Sequence, residues 1–428
     1  MINLAIKSSF LYVGSSLVGK SMAAFAQLYA VYVFTKTQTH ENAALVFLLL
    51  GYSIWFQILE FGLSQTLQNK FNSREISSSR LIYIVLAHYV FMVVVAVFVS
   101  STSYLVEILL PNGIIENNEI GVRSFTIGAA LLVVVSSNTI IQRFLLVINR
   151  GSLGNFLIIC QSCIVLLGLF IYENINEPQL IMGVLIYLAP QVLVYMPLMA
   201  NLVIKLVNRR SRKSSSDFRV VLFEAIGFSG VGFLSILFLG SDYYFAAHYL
   251  SPNEIVSYYL VSRIFFISYV IYYGYVLHGS RRISTQLYQF RSCGIMKIFR
   301  NSCSVGALSV GCIYLLAALL NKVGAFDFIT HGVEVSQLLL FIGFLYFMVR
   351  VVRDVALVII GAVNKKYLLY QAYLIEVIFG LSAMYLLVPK FKEMGIFYAL
   401  LTACLLSSIF LIYKSKMYNQ NIVTTKCN

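Results

Sequence analysis

The chain has 428 residues, 60% of them hydrophobic and only 11% charged, with a formal net charge of +14 and a mean hydropathy of +0.84. A soluble domain carries roughly a quarter charged residues, so the composition excludes a soluble globular protein and points to one built in lipid. The basic excess does not signal nucleic acid, because the Lys and Arg residues are dispersed over loops and tails and do not gather into one basic patch.

In chain order, apolar runs predict spans at about 10–34, 43–63, 81–101, 124–148, 153–173, 180–204, 220–241, 255–279, 298–320, 335–361, 367–388 and 395–413. Each can cross a hydrocarbon core of roughly 30 Å. An outer-membrane barrel would instead show alternating segments of about ten residues. The first run extends from Lys7 to about Phe34, too long for the apolar region of a signal peptide, so the first span is expected to be retained. Pro190 and Pro197 fall within the sixth span and are expected to kink it. Cys160 and Cys163 form a lone CxxC in an apolar run, and no outside loop holds a cysteine. Neither a metal site, a cofactor nor a disulfide is expected.

Loop charge alternates strongly. One side carries Lys7, Lys70, Arg74, Arg80, Arg150, the stretch Lys205–Arg219, the Arg281–Arg300 loop, Lys365, Lys366 and Lys414 onward. The other carries Lys36, Arg123, Lys322, Lys390 and Lys392 with most of the loop carboxylates. By the positive-inside rule both termini are expected in the cytoplasm. The Lys/Arg/Ser-rich connection lies mid-chain and leaves six spans on each side. The expected domains are a six-helix bundle over 1–208, a basic linker over 209–219, a second bundle over 220–413 and a tail over 414–428. An echo of Asn149-Arg150 in Asn364-Lys365, about half the chain apart, fits two parallel halves.

Ionisable residues inside spans are costly and mark function or internal pairing. Lys20 lies about 15 Å into the first span, on a small, polar face with Ser9, Tyr12, Ser16, Ala23 and Gln27. That face is either a helix-packing seam with Lys20 paired to a carboxylate or the lining of a polar path. The second span carries Gln57 and Glu60 on one stripe with Ser53, Ser64 and Gln68, which makes Glu60 a proton or cation site or an interfacial carboxylate. Arg263 sits deep in the eighth span, with Tyr259 and Phe266 on its helix face. It either offers its planar fork to phosphate oxygens or pairs internally with Glu224 or Glu376. In the tenth span Arg350 and Asp354 form an i,i+4 pair, leaving Arg353 as a surplus cation. Lone histidines such as His88 read as structural groups. More cations than anions within the spans point to an anionic cargo, with Lys20, Arg263, Arg353, Tyr259 and Gln57 as binding candidates and Glu60, Glu224 and Glu376 as ion-coupling candidates.

At the end of the second span the sequence reads Leu59-Glu60-Phe61-Gly62-Leu63-Ser64-Gln65-Thr66-Leu67-Gln68-Asn69-Lys70, and the eighth contains Tyr258-Tyr259-Leu260-Val261-Ser262-Arg263-Ile264. These stretches, the chain length, the twelve spans and the central basic loop resemble polysaccharide-unit (O-antigen type) flippases of the multidrug/oligosaccharidyl-lipid/polysaccharide exporter superfamily. The resemblance implies an all-α polytopic membrane protein of about twelve transmembrane helices, in two parallel six-helix bundles around a central cavity that opens alternately to each side. It implies an undecaprenyl-pyrophosphate-linked oligosaccharide as cargo, no covalent chemistry, and Lys20 and Arg263 as cavity cations. Membrane lipids, H⁺ or Na⁺, a polysaccharide polymerase and chain-length proteins are the partners in view. Glu60 departs from the aspartate-like or neutral residue usual at its place. Drug or cation antiport on the same fold would favour an acidic cavity. A membrane-embedded sugar polymerase would need a larger outside loop than the connection of about twenty residues around Ser101–Arg123.

Overall fold

The computed structural model describes residues 2–60, 62–63, 66–67, 78–102, 109–110, 119–148, 150–208, 216–288, 295–362 and 366–424. Thirteen α-helices carry the architecture: α1 Ile2–Thr37, α2 His40–Phe56, α3 Ser78–Ser101, α4 Glu119–Val147, α5 Gly151–Glu173, α6 Leu180–Leu193, α7 Met196–Asn208, α8 Ser216–Tyr249, α9 Pro252–Tyr288, α10 Ile295–Lys322, α11 Ala325–Thr330, α12 Gln337–Ala362 and α13 Lys366–Thr424. Lipid offers no water to backbone N–H and C=O groups, so a spanning segment must satisfy them within itself. Each expected span accordingly overlies a helix. Helices such as α8 and α9 run past the expected spans because apolarity registers only the hydrocarbon length, while the backbone ladder continues beyond it.

The expected kink in the sixth span is a break. α6 contains Pro190, α7 begins one residue before Pro197, and Val194 and Tyr195 lie between them. A proline ring removes an N–H from the ladder in the first helix and is well tolerated at the start of the second. α13 hides a reversal: Lys392 adopts φ 53°, ψ −131°, three residues after Pro389. A Cβ on Gly395 would stand 2.5 Å from the Leu387 carbonyl oxygen, although eight helical residues span about 12 Å, so the chain doubles back here. Nine stretches of described helix are long and apolar enough to cross a membrane, and the one over Tyr367–Lys414 contains this reversal and crosses twice. The charged helices α9 and α12 supply the remaining two of about twelve passes.

Packing divides the passes into two bundles of six. α1 lies along α5 as α8 lies along α13, and α3 packs on α4 as α10 packs on α12. The bundles meet through α1, α2, α8 and α9, with α1 against α9, α8 against α2, and α2 against α9. That exchange of partners is what two halves related by an approximate two-fold axis along the membrane normal produce. The crossing of α2 and α8 is very close, since a Cβ on Gly51 would fall 2.2 Å from the Tyr243 ring. Outward faces stay apolar, with Phe98 on α3 and Leu308 and Leu319 on α10 exposed where lipid tails would lie.

Gly62 has φ 67°, a left-handed conformation open to glycine without strain. It follows the 3₁₀ turn Gln57–Glu60 that ends α2, and its carbonyl accepts from the Thr66 backbone N–H and hydroxyl. Residues 209–215 of the basic linker, and Asn149, Asn364 and Lys365 of the proposed echo, lie outside the described residues.

Candidate functional site

The seam between the bundles is closed at the end away from the chain termini. There His40 Nδ1 meets Asn253 Oδ1 at 2.7 Å, and the Thr35 hydroxyl donates to the Ile329 carbonyl at 2.9 Å. The Tyr32 ring lies 5.5 Å from Phe328 and 5.4 Å from His331. Deeper in, Phe47 of α2 stacks on Tyr259 of α9 at 4.6 Å, and Tyr52 and Trp55 donate to the Tyr243 and Gly240 carbonyls of α8. Burial falls away beyond this layer. On α1, residues 30–31 and 33–35 are buried, whereas Ser16, Lys20, Ala23 and Gln27 are each partly exposed. These four form a continuous stripe at helical spacing. Ser9 and Tyr12 belong to the part of α1 whose side chains are not described.

Arg263 lies at the inner edge of the closed layer. Its guanidinium covers the Tyr259 ring at 4.6 Å and approaches Phe266 at 5.9 Å. One turn and three residues along a helix place rings on either side of a base, and the faces of those rings attract the cation. Arg263 is partly exposed, yet its Nε is buried without a hydrogen-bond partner. Among the described residues no carboxylate stands within ion-pair distance of it. Its nearest acid in the electrostatic field is Asp242. Of the partners anticipated from sequence, Glu376 is engaged elsewhere, and the Glu224 side chain lies outside what is described. Asp242 was missed because the apolar run of the seventh span ends one residue earlier, whereas α8 continues to Tyr249.

Lys20 also has no carboxylate within ion-pair distance among the described residues, and the charge that reaches it is that of Arg143, of the same sign. Asn155 of α5 donates to Ser15 at 3.0 Å behind the Lys20 stripe. Glu60 accepts a hydrogen bond from Thr139 of α4 at 3.1 Å through Oε2, while its Oε1 is buried and unpartnered. Gln57 is exposed. His88 is buried, with Nε2 unpaired.

The surplus cation expected in the tenth span is absent, a correction to the sequence reading. Arg353 donates from Nε to Glu376 Oε1 at 2.6 Å, from a terminal nitrogen to Glu376 Oε2, and to Asp354 Oδ1 at 2.6 Å. Arg350 contacts Asp354 Oδ2 at 3.4 Å, and the Tyr272 and Ser407 hydroxyls donate to Asp354 and Glu376. Two guanidiniums and two carboxylates thus balance inside the second bundle. The Arg353–Glu376 contact joins α12 to α13 and is invisible to i,i+4 reasoning. Among the described residues no His, Cys, Asp or Glu cluster could hold a metal ion.

Two six-helix bundles closed at one end of their seam make up an all-α polytopic membrane fold. Comparison with solved structures agrees. The chain is similar to the inward-facing conformation of a multidrug resistance MATE family transporter of the MOP superfamily, with TM-score 0.68, 10% identity and coverage of 94% of this chain and 96% of that one. It is also similar to the lipid II flippase MurJ in an inward closed conformation, with TM-score 0.68, 11% identity and coverage of 95% and 87%. A MOP superfamily transporter from Pyrococcus furiosus, reported to have a binding pocket of reversed polarity suggesting a different function, gives TM-score 0.66 at 12% identity over 95% of each chain. No family model matches the sequence, and no curated protein does.

Proposed function

We propose that the protein is a flippase that carries an undecaprenyl-pyrophosphate-linked oligosaccharide repeat unit from the cytoplasmic to the periplasmic leaflet by alternating access. The observation that carries this reading is Arg263, a partly exposed residue whose guanidinium is flanked by aromatic faces and, among the described residues, has no carboxylate at contact distance. A cation retained there without a contact partner suits an anionic headgroup, and its fork matches phosphate oxygens. Lys20, on the partly exposed stripe of α1, adds positive charge to the same approach. Gln57, which is exposed, supplies an amide for sugar, whereas Tyr259 is buried between Phe47 and Arg263 and can only hold the base in place, a correction to the sequence reading.

In this mechanism the headgroup enters from the end of the seam opposite the closed layer while the polyprenyl tail remains in lipid. The protein's polar groups replace sugar and phosphate hydration that the bilayer would strip away. Rearrangement of the Phe47–Tyr259 and Tyr32–His331 layers then opens the opposite end. Glu60, with one free buried oxygen, is the coupling candidate among the described carboxylates if an ion takes part. Arg353 and Glu376 hold each other and belong to the framework. Drug or cation antiport fits less well, because Asp354 and Glu376 are both taken by arginines. Hand-off to a polysaccharide polymerase and its chain-length partners would follow release.

The direct test uses purified protein in proteoliposomes with a lipid-linked oligosaccharide accessible on one leaflet. Protein-dependent appearance of the oligosaccharide on the other leaflet is expected; none, with the protein correctly inserted, rejects the reading. Orientation is tested separately. Loop charge places Ser214 in the cytoplasm and Asn176 outside, so a cysteine at 176 should react with an impermeant reagent in whole cells and one at 214 only after permeabilisation. The reverse pattern would sink this topology.

A further inference from the structure

The buried acid nearest to the candidate site has no part in the mechanism so far. Asp242 is 7% exposed. It accepts the Tyr258 hydroxyl at 2.6 Å and the Tyr243 backbone N–H at 2.8 Å. No cation stands within ion-pair distance of it among the described residues, and the fields that reach it come from Arg263 and Arg350. Arg350 is already matched by Asp354; Arg263 has no such match. Tyr243, next to Asp242 in the chain, sets its ring 5.7 Å from that of Tyr258 and 6.4 Å from that of Tyr259. The Tyr243 hydroxyl pairs with Ser262, next to Arg263, at 3.3 Å.

We propose that Asp242 is the resident counter-ion of Arg263, and that an anionic headgroup arriving at Arg263 drives a proton from solvent onto the Asp242 carboxylate. The inference rests on the anionic-cargo reading above. In the empty protein the two charges balance through one layer of aromatic rings. A phosphate on Arg263 cancels the cation and brings like charge towards a carboxylate shielded from water. A buried carboxylate without compensation is costly and neutralises itself by taking a proton. Binding of headgroup and proton is therefore linked, and by reciprocity loss of the proton weakens the headgroup's hold. Asp242 acts through Arg263 and is a positioning residue.

The groups around it are accounted for. From α2, Tyr52 faces Asp242 but donates its hydroxyl to the Leu109 and Tyr243 carbonyls. From α9 come Tyr258 and Arg263, and from α12 Arg350. From α13 the neighbours are apolar, with Met384 against Ser241 and Phe397 against Tyr258.

The test uses full-length purified protein and farnesyl pyrophosphate as a soluble probe. Binding is measured by calorimetry between pH 6 and 8 in buffers of different ionisation heat, which reports protons taken up per ligand. The wild type should take up more protons than the probe's own titration supplies, and Asp242→Asn should abolish that excess. The variant should also bind at least about five-fold tighter at pH 8, the low end for linked sites. Equal proton uptake and equal affinity in the two proteins would overturn the inference while leaving the cargo reading intact. Probe binding that Arg263→Ala does not weaken would overturn the anionic site itself. If Asp242→Asn does not fold, Tyr258→Phe keeps the carboxylate but removes its hydrogen bond. The rise in affinity on acidification should then begin at higher pH, and an unshifted profile would reject the linkage.

Discussion

Arg263→Ala should lose most transport, at least ten-fold or about 1.4 kcal/mol, while reaching the membrane at normal abundance. Among the described residues its guanidinium makes no ion pair, and its Nε makes no hydrogen bond. Truncation therefore strands no buried carboxylate at contact distance. The structural losses are the stacking on Tyr259 and Phe266, worth about 0.5–2 kcal/mol, and the compensation of Asp242 across the ring layer, which that carboxylate meets by taking a proton. Arg263→Lys should retain part of the activity, because a point charge replaces a two-pronged donor. Lys20→Ala should behave similarly, since the charge nearest it is the like-signed Arg143. The measurement is flipping rate alongside membrane abundance for both single variants and the double. Full transport by the double alanine variant would remove the cationic site and the case for an anionic lipid cargo.

How far the sequence could be read follows from which interactions are local. The helices were legible because lipid forces the same solution on every apolar run of sufficient length, and the pairing of Arg350 with Asp354 was legible because they share a helix face. Glu376 as the partner of Arg353 was not, since it depends on how α12 meets α13. Asp242 escaped because polar residues at the end of a run read as a boundary, whereas the neighbouring Tyr258 hydroxyl makes room for a carboxylate inside. The closing layer was hidden for a related reason. α11 is six residues long, too short for a periodic signal, and its Phe328 and the following His331 gain meaning only against Tyr32 of the other bundle. The rings of Tyr259 and Phe266 beside Arg263 were legible from helical spacing, but its lack of an ion-pair partner among the described residues is a tertiary fact.

Removing Glu376 should be the most destabilising single change. Its side chain is 0% exposed, that of Arg353 is 3% exposed, and the two make a bidentate contact reinforced by Ser407. Deleting one partner of a buried pair leaves the other charge uncompensated and typically costs 3–5 kcal/mol, a large share of a protein's net stability. Glu376→Ala should therefore fall sharply in membrane abundance and in thermal midpoint in detergent. The double variant Arg353→Leu with Glu376→Leu should recover both, because apolar residues of similar volume replace a buried pair at little or no cost. Asp354 would remain compensated by Arg350 and Tyr272. Transport then separates framework from function. A recovered double variant that still flips lipid-linked oligosaccharide would make the pair a brace between α12 and α13. One that is abundant and stable but inactive would restore Arg353 to the cargo site or Glu376 to ion coupling. The network is balanced and buried, so the first outcome is the one expected.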